Sequence, residues 1–398
     1  MRIIIIGAGI NGATAAIELK KRGHRVTLVD PGPLPHPLAA STDISKAVRA
    51  AYGPDEIYTD MAERSIALWH EWNNKFGIQL YHEVGMLLLR RRPMQPGDFE
   101  YESCRLLRER GHAFERLTRE DLRARFPAFN AEMFNDGVFD PTAGYVESGR
   151  VVATLVDYAK SLGVDLREQG KVVGLPENDR GVLIEDRPAF GRRGHLRRGR
   201  QSILGDMVVV ATGAWTPYLL PFTKSFFRAS GQPVFHFRPA KPELFAPERF
   251  PFFTTDISTT GYYGFSMNQG VVKIANHGAG REMSPDSPER VVTPDEEKEV
   301  REFLRSAIPT LASAPIVHTR VCLYCDTHDG DFWIAPDPDR PWLVIAAGDN
   351  GHGFKFAPVL GEIIADAVEG KPNPLLQKFR WRPEVCAGGQ KEAARFLE

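Results

Sequence analysis

The sequence predicts an α/β chain: a discontinuous, doubly wound nucleotide-binding domain of Rossmann-like character, interrupted by an α+β domain on a mixed or antiparallel sheet. Three observations predict it. The chain opens with a strand, a glycine turn and a helix; buried parallel-type strands return near residues 206 and 341; and between those returns apolar residues alternate with period two.

The opening unit is MRIIIIGAGINGATAAIELKKRGHRVTLVD. Its four isoleucines read as a buried parallel strand, and Gly7, Gly9 and Gly12 follow in GxGxxG spacing. Ala13, Ala16 and Leu19 share one helical face, Gly23 stops the helix, and HRVTLVD forms a second strand ending at Asp30. The three glycines serve different ends. Gly7 permits the turn, Gly9 lets backbone N–H groups approach a pyrophosphate, and Gly12 lets helix and strand pack closely. Ile10 and Asn11 complete the loop, at a helix end whose dipole favours phosphate, and Asp30 stands where a carboxylate accepts from ribose hydroxyls. The following PGPLPHP, Pro31 to Pro37, breaks the strand and helix alternation that a nicotinamide domain would continue, which favours a flavin-type domain.

DMVVVATGAW (Asp206 to Trp215) returns as a buried strand ending at a glycine, and PWLVIAAGDNGHGFKFAPVLGEIIADAVEG (Pro341 to Gly370) reads as strand, glycine-rich loop and helix from about Ala357. Between them, QPVFHFRPAKPELFAPERFPFF and TTGYYGFSMNQGVVKIANH suggest an antiparallel sheet. The expected nucleotide domain therefore comprises 1–84, 146–222 and 318–398, and the second domain 85–145 and 223–317.

Fifty basic against fifty-one acidic residues leave a net charge of −1, which offers no global field for nucleic acid or anionic lipid. The local exception, RRGHLRRGR at Arg192 to Arg200, falls between two strand-like runs, where a solvated hairpin loop belongs. No apolar run approaches the roughly 20 residues of a membrane span, and the opening MRIIIIGAG is too short for a secretory signal. A cytoplasmic protein is expected, either a monomer or a small homo-oligomer.

Four cysteines, at 104, 322, 325 and 386, make no disulfide framework and fit a reducing compartment. Two of them stand in RVCLYCDTH, where Cys322, Cys325 and His328 could supply three ligands of a zinc site, a redox dithiol, or plain buried thiols. A redox CxxC usually opens a helix, whereas strand-like residues surround this one.

In order and spacing, GAGINGATAAIELKKRG, ISKAVRAAYG, VVVATGAW, YYGF with VVKIANH, CLYCDTHDGDFWI and AAGDNGHGFKFAPVLGE resemble monomeric sarcosine oxidase-like flavoenzymes. These are amine oxidases of the D-amino-acid-oxidase group, and the resemblance runs nearly end to end. It implies FAD bound covalently through Cys322 to the 8α carbon. It also implies cofactor contacts from Thr42, Ser45, Lys46, Val172, Ala211, Thr212, Gly213 and Trp215, and from Gly348, Gly351, His352, Gly353, Phe354 and Lys355 in the second glycine loop. By the same resemblance Lys273 stands over the flavin face where oxygen reacts, where a cation stabilises charge developing on oxygen. Arg49 and Lys355 match a pair that holds a substrate carboxylate, and Tyr263, Tyr324 and His277 match residues lining the pocket.

Lys46 departs from the pattern. Sarcosine oxidases carry an arginine there, and DISK, Asp43 to Lys46, is closer to the DLNK of fructosyl amino-acid oxidases, as is Asp326-Thr-His-Asp329. Ala40, Ser41 and Thr42 replace upstream histidines, and Gly231 replaces an arginine. The implied reaction is oxidation of the C–N bond of an N-substituted amino acid with oxygen as acceptor, giving an imine and hydrogen peroxide. The amine itself stays open between sarcosine, pipecolate, fructosyl amino acids and bulkier secondary amines. A quinone or protein acceptor, a nicotinamide-dependent dehydrogenase, and a zinc or thiol-redox module are the rival readings.

Overall fold

The computed structural model describes residues 1–176, 179–185, 189–190, 196–197, 200–257, 259 and 261–387. They gather into two compact units. One comprises Met1–Asp43, Ser148–Ala229 and the described chain from Leu323 onward; the other comprises Ile44–Glu147 and Ser230–Cys322.

The first unit holds the doubly wound sheet. Its strands run in the order Trp333–Pro336, Leu343–Ala347, Met207–Val210, Arg2–Ile6, Arg25–Asp30 and Asp165–Glu168. All neighbours are parallel except the first pair. The three inner runs IIII, MVVV and LVIAA lack polar alternation because a parallel sheet buries both faces. Helices Ile10–Lys21 and Ala357–Glu369 pack together where Gly361 removes a side chain: a Cβ there would lie 2.6 Å from the Thr14 carbonyl oxygen. At the far end of the pair, Arg22 bridges Asp366 and Glu369 at 2.7 and 2.6 Å. Strands Gly181–Glu185 and Arg200–Leu204 pair antiparallel as the arms of the expected hairpin. The basic loop between them lies mostly outside the described residues.

The second unit is built on the mixed sheet that the period-two alternation predicts. Its strands follow the order Arg281–Glu282, Arg228–Phe237, Val272–Asn276, Tyr262–Gly264, Phe252–Thr255, Met86–Arg90, Asp136–Asp140 and Glu115–Arg116, with Ile316–Asp326 paired to Arg228–Phe237. The pairing of Phe252–Thr255 with Met86–Arg90 is parallel and the other described registers are antiparallel. One face carries an aromatic core in which Phe235, Phe237, Phe253, Val272 and Ile274 meet Val300 and Leu304 of helix Pro294–Ala307.

The compact units divide at residues other than the expected domain bounds. Residues 44–84 belong with the second unit because strands Lys46–Val48 and Tyr81–His82 both pair with Gly144–Val146. Asn73 of helix Glu56–Phe76 fastens the same corner through bonds to Leu80 and Tyr81. Short strands of two or three residues leave almost no alternation to read in a sequence. Among the described residues, no helix is long and apolar enough to cross a membrane.

Candidate functional site

In the first unit, strand Arg2–Ile6 ends at Gly7, whose φ of +97° lies in the region that favours glycine. A Cβ on Gly7 would lie 2.5 Å from the Ala211 carbonyl oxygen, and one on Gly12 would lie 1.8 Å from the Gly7 carbonyl oxygen. Gly9, which has no side chain to cap with, stands at the N-terminal cap of helix Ile10–Lys21. The first helical N–H, from Ile10, donates to Ser41 Oγ at 3.0 Å. Asp30 is buried and accepts the N–H groups of Ala8 and Gly32 at 2.8 and 2.9 Å. It thus ties the turn to the second strand, while each carboxylate oxygen keeps further acceptor capacity.

The other residues expected to hold the cofactor in this unit fall in four places, the fourth being loop 348–355. The Ala211 N–H bonds to the Ile6 carbonyl at 2.9 Å; Thr212 and Thr216 hydroxyls lie 3.0 Å apart; and Gly213, at φ +52°, opens the short turn to Trp215, whose ring meets His36 edge-on. Thr42 is half-buried, its N–H on the Ala39 carbonyl, and Val172 is a half-buried member of strand Lys171–Gly174.

Loop 348–355 follows strand Leu343–Ala347. Gly348 and Gly351 have φ of +74° and +73°, and a Cβ on Gly351 would lie 2.2 Å from the ring of Tyr324, so that ring rests directly on the loop backbone. Gly353 opens the turn Gly353–Phe356, which runs into helix Ala357–Glu369 with no side-chain cap. Phe354 and Lys355 are buried, and Lys355 Nζ donates to the His352 carbonyl at 2.7 Å. The His352 ring stacks on Phe332, its Nε2 3.2 Å from the Gly330 carbonyl oxygen. Asn11 joins the two glycine loops through Nδ2, which donates to the Asp349 carboxylate at 2.9 Å. Desolvation pushes the Asp349 carboxyl up to about 6, opposed by that hydrogen bond. Asn11 Oδ1 is buried and has no hydrogen-bond partner among the described residues.

In the second unit, the sheet face opposite the aromatic core collects three of the expected residues. Tyr263 pairs with Ala275, and Lys273 with His236, so alternation places Tyr263, Lys273 and His277 on one side. Lys273 is buried, and its Nζ donates to the Ser45 carbonyl at 2.7 Å and lies 5.1 Å from the centre of the Phe265 ring. An ammonium removed from water in this way is costly, so its retention points to a use for the charge. Tyr263 and His277 are only half-buried. Ser45 Oγ is buried with no hydrogen-bond partner among the described residues.

Arg49 follows strand Lys46–Val48 and is not a helical residue. Its guanidinium carbon lies 4.6 Å from the Tyr52 ring centre and 5.5 Å from that of Phe99, and its buried Nη1 has no hydrogen-bond partner among the described residues. A planar cation held by two rings with a donor unspent is suited to a carboxylate. Lys46 is half-buried and pairs in register with Val146.

Cys322 and Cys325 both lie buried on strand Ile316–Asp326. Three residues apart, they point to opposite sides of the strand. Cys325 packs into an apolar cluster with Phe227 and Trp333, where burial pushes its thiol well above the ordinary range. His328 is exposed, its Nε2 on the Ser225 carbonyl at 3.0 Å. No group of three or more His, Cys, Asp or Glu among the described residues is placed to hold a metal ion. His236 is a residue that sequence reasoning missed, yet it shares the side of Lys273; its signal was a polar residue between two phenylalanines in the run QPVFHF.

The protein-family model described as FAD dependent oxidoreductase matches residues 2–367. The chain is an FAD-dependent oxidoreductase. This oxidoreductase is 27% identical over 385 residues to a monomeric sarcosine oxidase of Bacillus sp. (strain B-0618), covering 95% of this chain and 94% of that one. It is 28% identical over 387 residues to an N-methyl-L-tryptophan oxidase of Salmonella arizonae, with 95% and 97% covered. The crystal structure of a fructosamine oxidase, Amadoriase II from Aspergillus fumigatus, superposes with a TM-score of 0.81 at 24% identity over 99% of this chain and 93% of that one, a likeness of fold. Membership in the sarcosine oxidase-like group and the expected fold class are thus borne out. The residues present also fit FAD: the Gly7 and Gly12 contacts leave backbone where a side chain would clash, Gly9 brings no side chain to the helix end, and Asn11 Oδ1 is a buried acceptor unspent among the described residues.

Proposed function

We propose that this FAD-dependent enzyme oxidises the C–N bond of a secondary amine of the N-substituted amino-acid class, with oxygen as electron acceptor and hydrogen peroxide as product. The buried Lys273 carries the reading, because a desolvated ammonium on the sheet face opposite the aromatic core serves charge developing on oxygen. Support for the substrate class comes from the unspent Nη1 donor of Arg49. FAD would supply the two-electron acceptor. Gly7, Gly9 and the Ile10 helix end would hold its pyrophosphate, Asp30 its ribose, and the 348–355 loop its ring. Arg49 and Lys355 would orient the substrate carboxylate, and Tyr263, Tyr324 and His277 would shape the pocket and exclude water. The N-methyl amino-acid oxidases among the relatives favour a small N-substituent, whereas Lys46 and Asp326-Thr-His-Asp329 favour a sugar-bearing one.

The test is turnover under air of sarcosine, N-methyl-L-tryptophan, L-pipecolate and a fructosyl amino acid, following peroxide and the carbonyl product together. Stoichiometric peroxide with one member supports the proposal. Turnover that needs an added quinone and yields no peroxide overturns the choice of oxygen, and no turnover of any secondary amine overturns the substrate class.

The same reading makes Cys322 the covalent anchor of the flavin. Acid precipitation of the wild type is expected to leave yellow colour in the pellet, with an FAD-sized increment in the intact mass. Cys322→Ser should lose the increment while still binding FAD without a bond. An increment that survives Cys322→Ser would reassign the anchor.

A further inference from the structure

Two consecutive residues of loop 348–355 fasten it to different parts of the first unit. Asn350, fully buried, meets the end of strand Ile316–Asp326: its N–H donates to the Cys325 carbonyl at 3.1 Å, its Oδ1 accepts the Thr327 N–H at 2.8 Å, and its Nδ2 donates to the Gly348 carbonyl at 2.5 Å. Those bonds hold a non-glycine residue at φ +47°. Asp349 reaches the first glycine loop instead. Its carboxylate accepts from Asn11 Nδ2 at 2.9 Å through Oδ1 and at 3.2 Å through Oδ2, and Asn11 lies buried at the start of helix Ile10–Lys21. Asp349 is also fixed within its own loop: its carbonyl accepts the N–H groups of His352 and Gly353 at 2.8 and 3.1 Å, and a Cβ on Gly353 would lie 2.8 Å from Asp349 Cβ and Cγ. The residue is half-buried, yet the atoms around it desolvate the carboxyl enough to push it up to about 6, with the Asn11 bond opposing. At neutral pH it is mostly ionised, and both oxygens share one donor.

Resting on the reading that the first turn holds the pyrophosphate and loop 348–355 the flavin ring, we infer that Asp349 is a positioning residue for the ring: through Asn11 it sets the ring-holding loop against the pyrophosphate turn. Asn350 fixes the other side of the same loop. Without the Asp349 tie, the first turn keeps its own backbone geometry at Gly7 and Gly12, and what is lost is the spacing between the two sites. A ligand that spans both then binds more weakly, whereas one that occupies the turn alone does not.

The experiment titrates full-length apoprotein carrying Cys322→Ser, so that binding is reversible, with FAD by flavin fluorescence and with ADP by calorimetry. Asp349→Ala is expected to bind FAD about tenfold or more weakly, the scale of one hydrogen bond to a charged acceptor, while ADP stays within about twofold of the parent. Asp349→Asn, whose amide oxygen still accepts from Asn11, should hold FAD within about threefold. In an Asn11→Ala background Asp349→Ala should cost FAD no further affinity, because both substitutions remove the same contact. Parental FAD affinity in Asp349→Ala overturns the inference. So do equal losses of FAD and ADP, the mark of a residue that only keeps the turn in shape, and an Asn variant as weak as the Ala variant, which assigns the effect to charge. If Asp349→Ala does not fold, Asp349→Ser, too short to reach Asn11, carries the same comparison. ADP that fails to compete with FAD on the parent overturns the placement of the pyrophosphate itself, an outcome separable because no Asp349 variant enters it.

Discussion

Lys273→Met is expected to leave anaerobic reduction of the flavin by substrate near the wild-type rate while slowing reoxidation by oxygen at least about a hundredfold. The magnitude comes from one charge. An ammonium about 4 Å from a developing anion, at an effective dielectric of about 20, contributes about 4 kcal/mol, or about a thousandfold in rate; a hundredfold allows for relaxation around the shorter side chain. Methionine suits the position because Lys273 is buried against Phe265 and an apolar chain of similar length fills the same space. The substitution leaves the Ser45 carbonyl without its partner, which costs about 1–3 kcal/mol of stability and is read separately by thermal unfolding. Stopped-flow separates the two half-reactions: reduction under nitrogen, then mixing of reduced enzyme with oxygenated buffer. Equal loss of both halves would sink the assignment of Lys273 to oxygen, because a damaged fold or a misplaced cofactor impairs both.

How much of this was legible in the sequence depends on whether a residue acts through its neighbours in the chain or through partners far along it. The glycine turn, the strand before it and the helix after it are local events, and GAGING states them in six letters; the geometry at Gly7 and Gly12 follows the roles expected of each glycine. Strand Val272–Asn276 could be read from its alternation, and so could the odd lysine within it. That Lys273 meets the Ser45 carbonyl could not, because 228 residues separate them and Ser45 lies in no periodic element. The placement of Arg49 was hidden too, because it follows a three-residue strand whose partner, Gly144–Val146, lies about a hundred residues further along the chain. The link between Asn11 and Asp349 was equally hidden: both are ordinary loop residues by type, and only the parallel sheet brings their loops together. Cys325 illustrates the converse. Beside Cys322 in the sequence it suggests a dithiol, yet strand alternation turns it to the other side, into apolar packing.

Gly12→Ala is expected to abolish FAD binding, because the added carbon has nowhere to go. It would lie 1.8 Å from the Gly7 carbonyl oxygen and 3.0 Å from the carbonyl carbon, both backbone atoms at the end of a strand paired in parallel on each side. No rotamer relieves a clash between Cβ and backbone, so helix Ile10–Lys21 must move away from the sheet. Motion of an ångström or more separates the helix end from the turn that together would hold a pyrophosphate. Overpacking of this kind costs about 1–3 kcal/mol or more, which in a chain of this size lowers the melting temperature by several degrees. The control is Gly23→Ala, where φ is +87° but nothing among the described residues lies within 4 Å of the added carbon. It should cost about 1 kcal/mol from backbone strain alone and leave flavin content unchanged. Flavin absorbance per mole of purified protein, with thermal unfolding of both variants, reads the contrast. Wild-type flavin content in Gly12→Ala would mean that the helix can yield without opening the turn, and the close approach at Gly12 would then not be what builds the dinucleotide site.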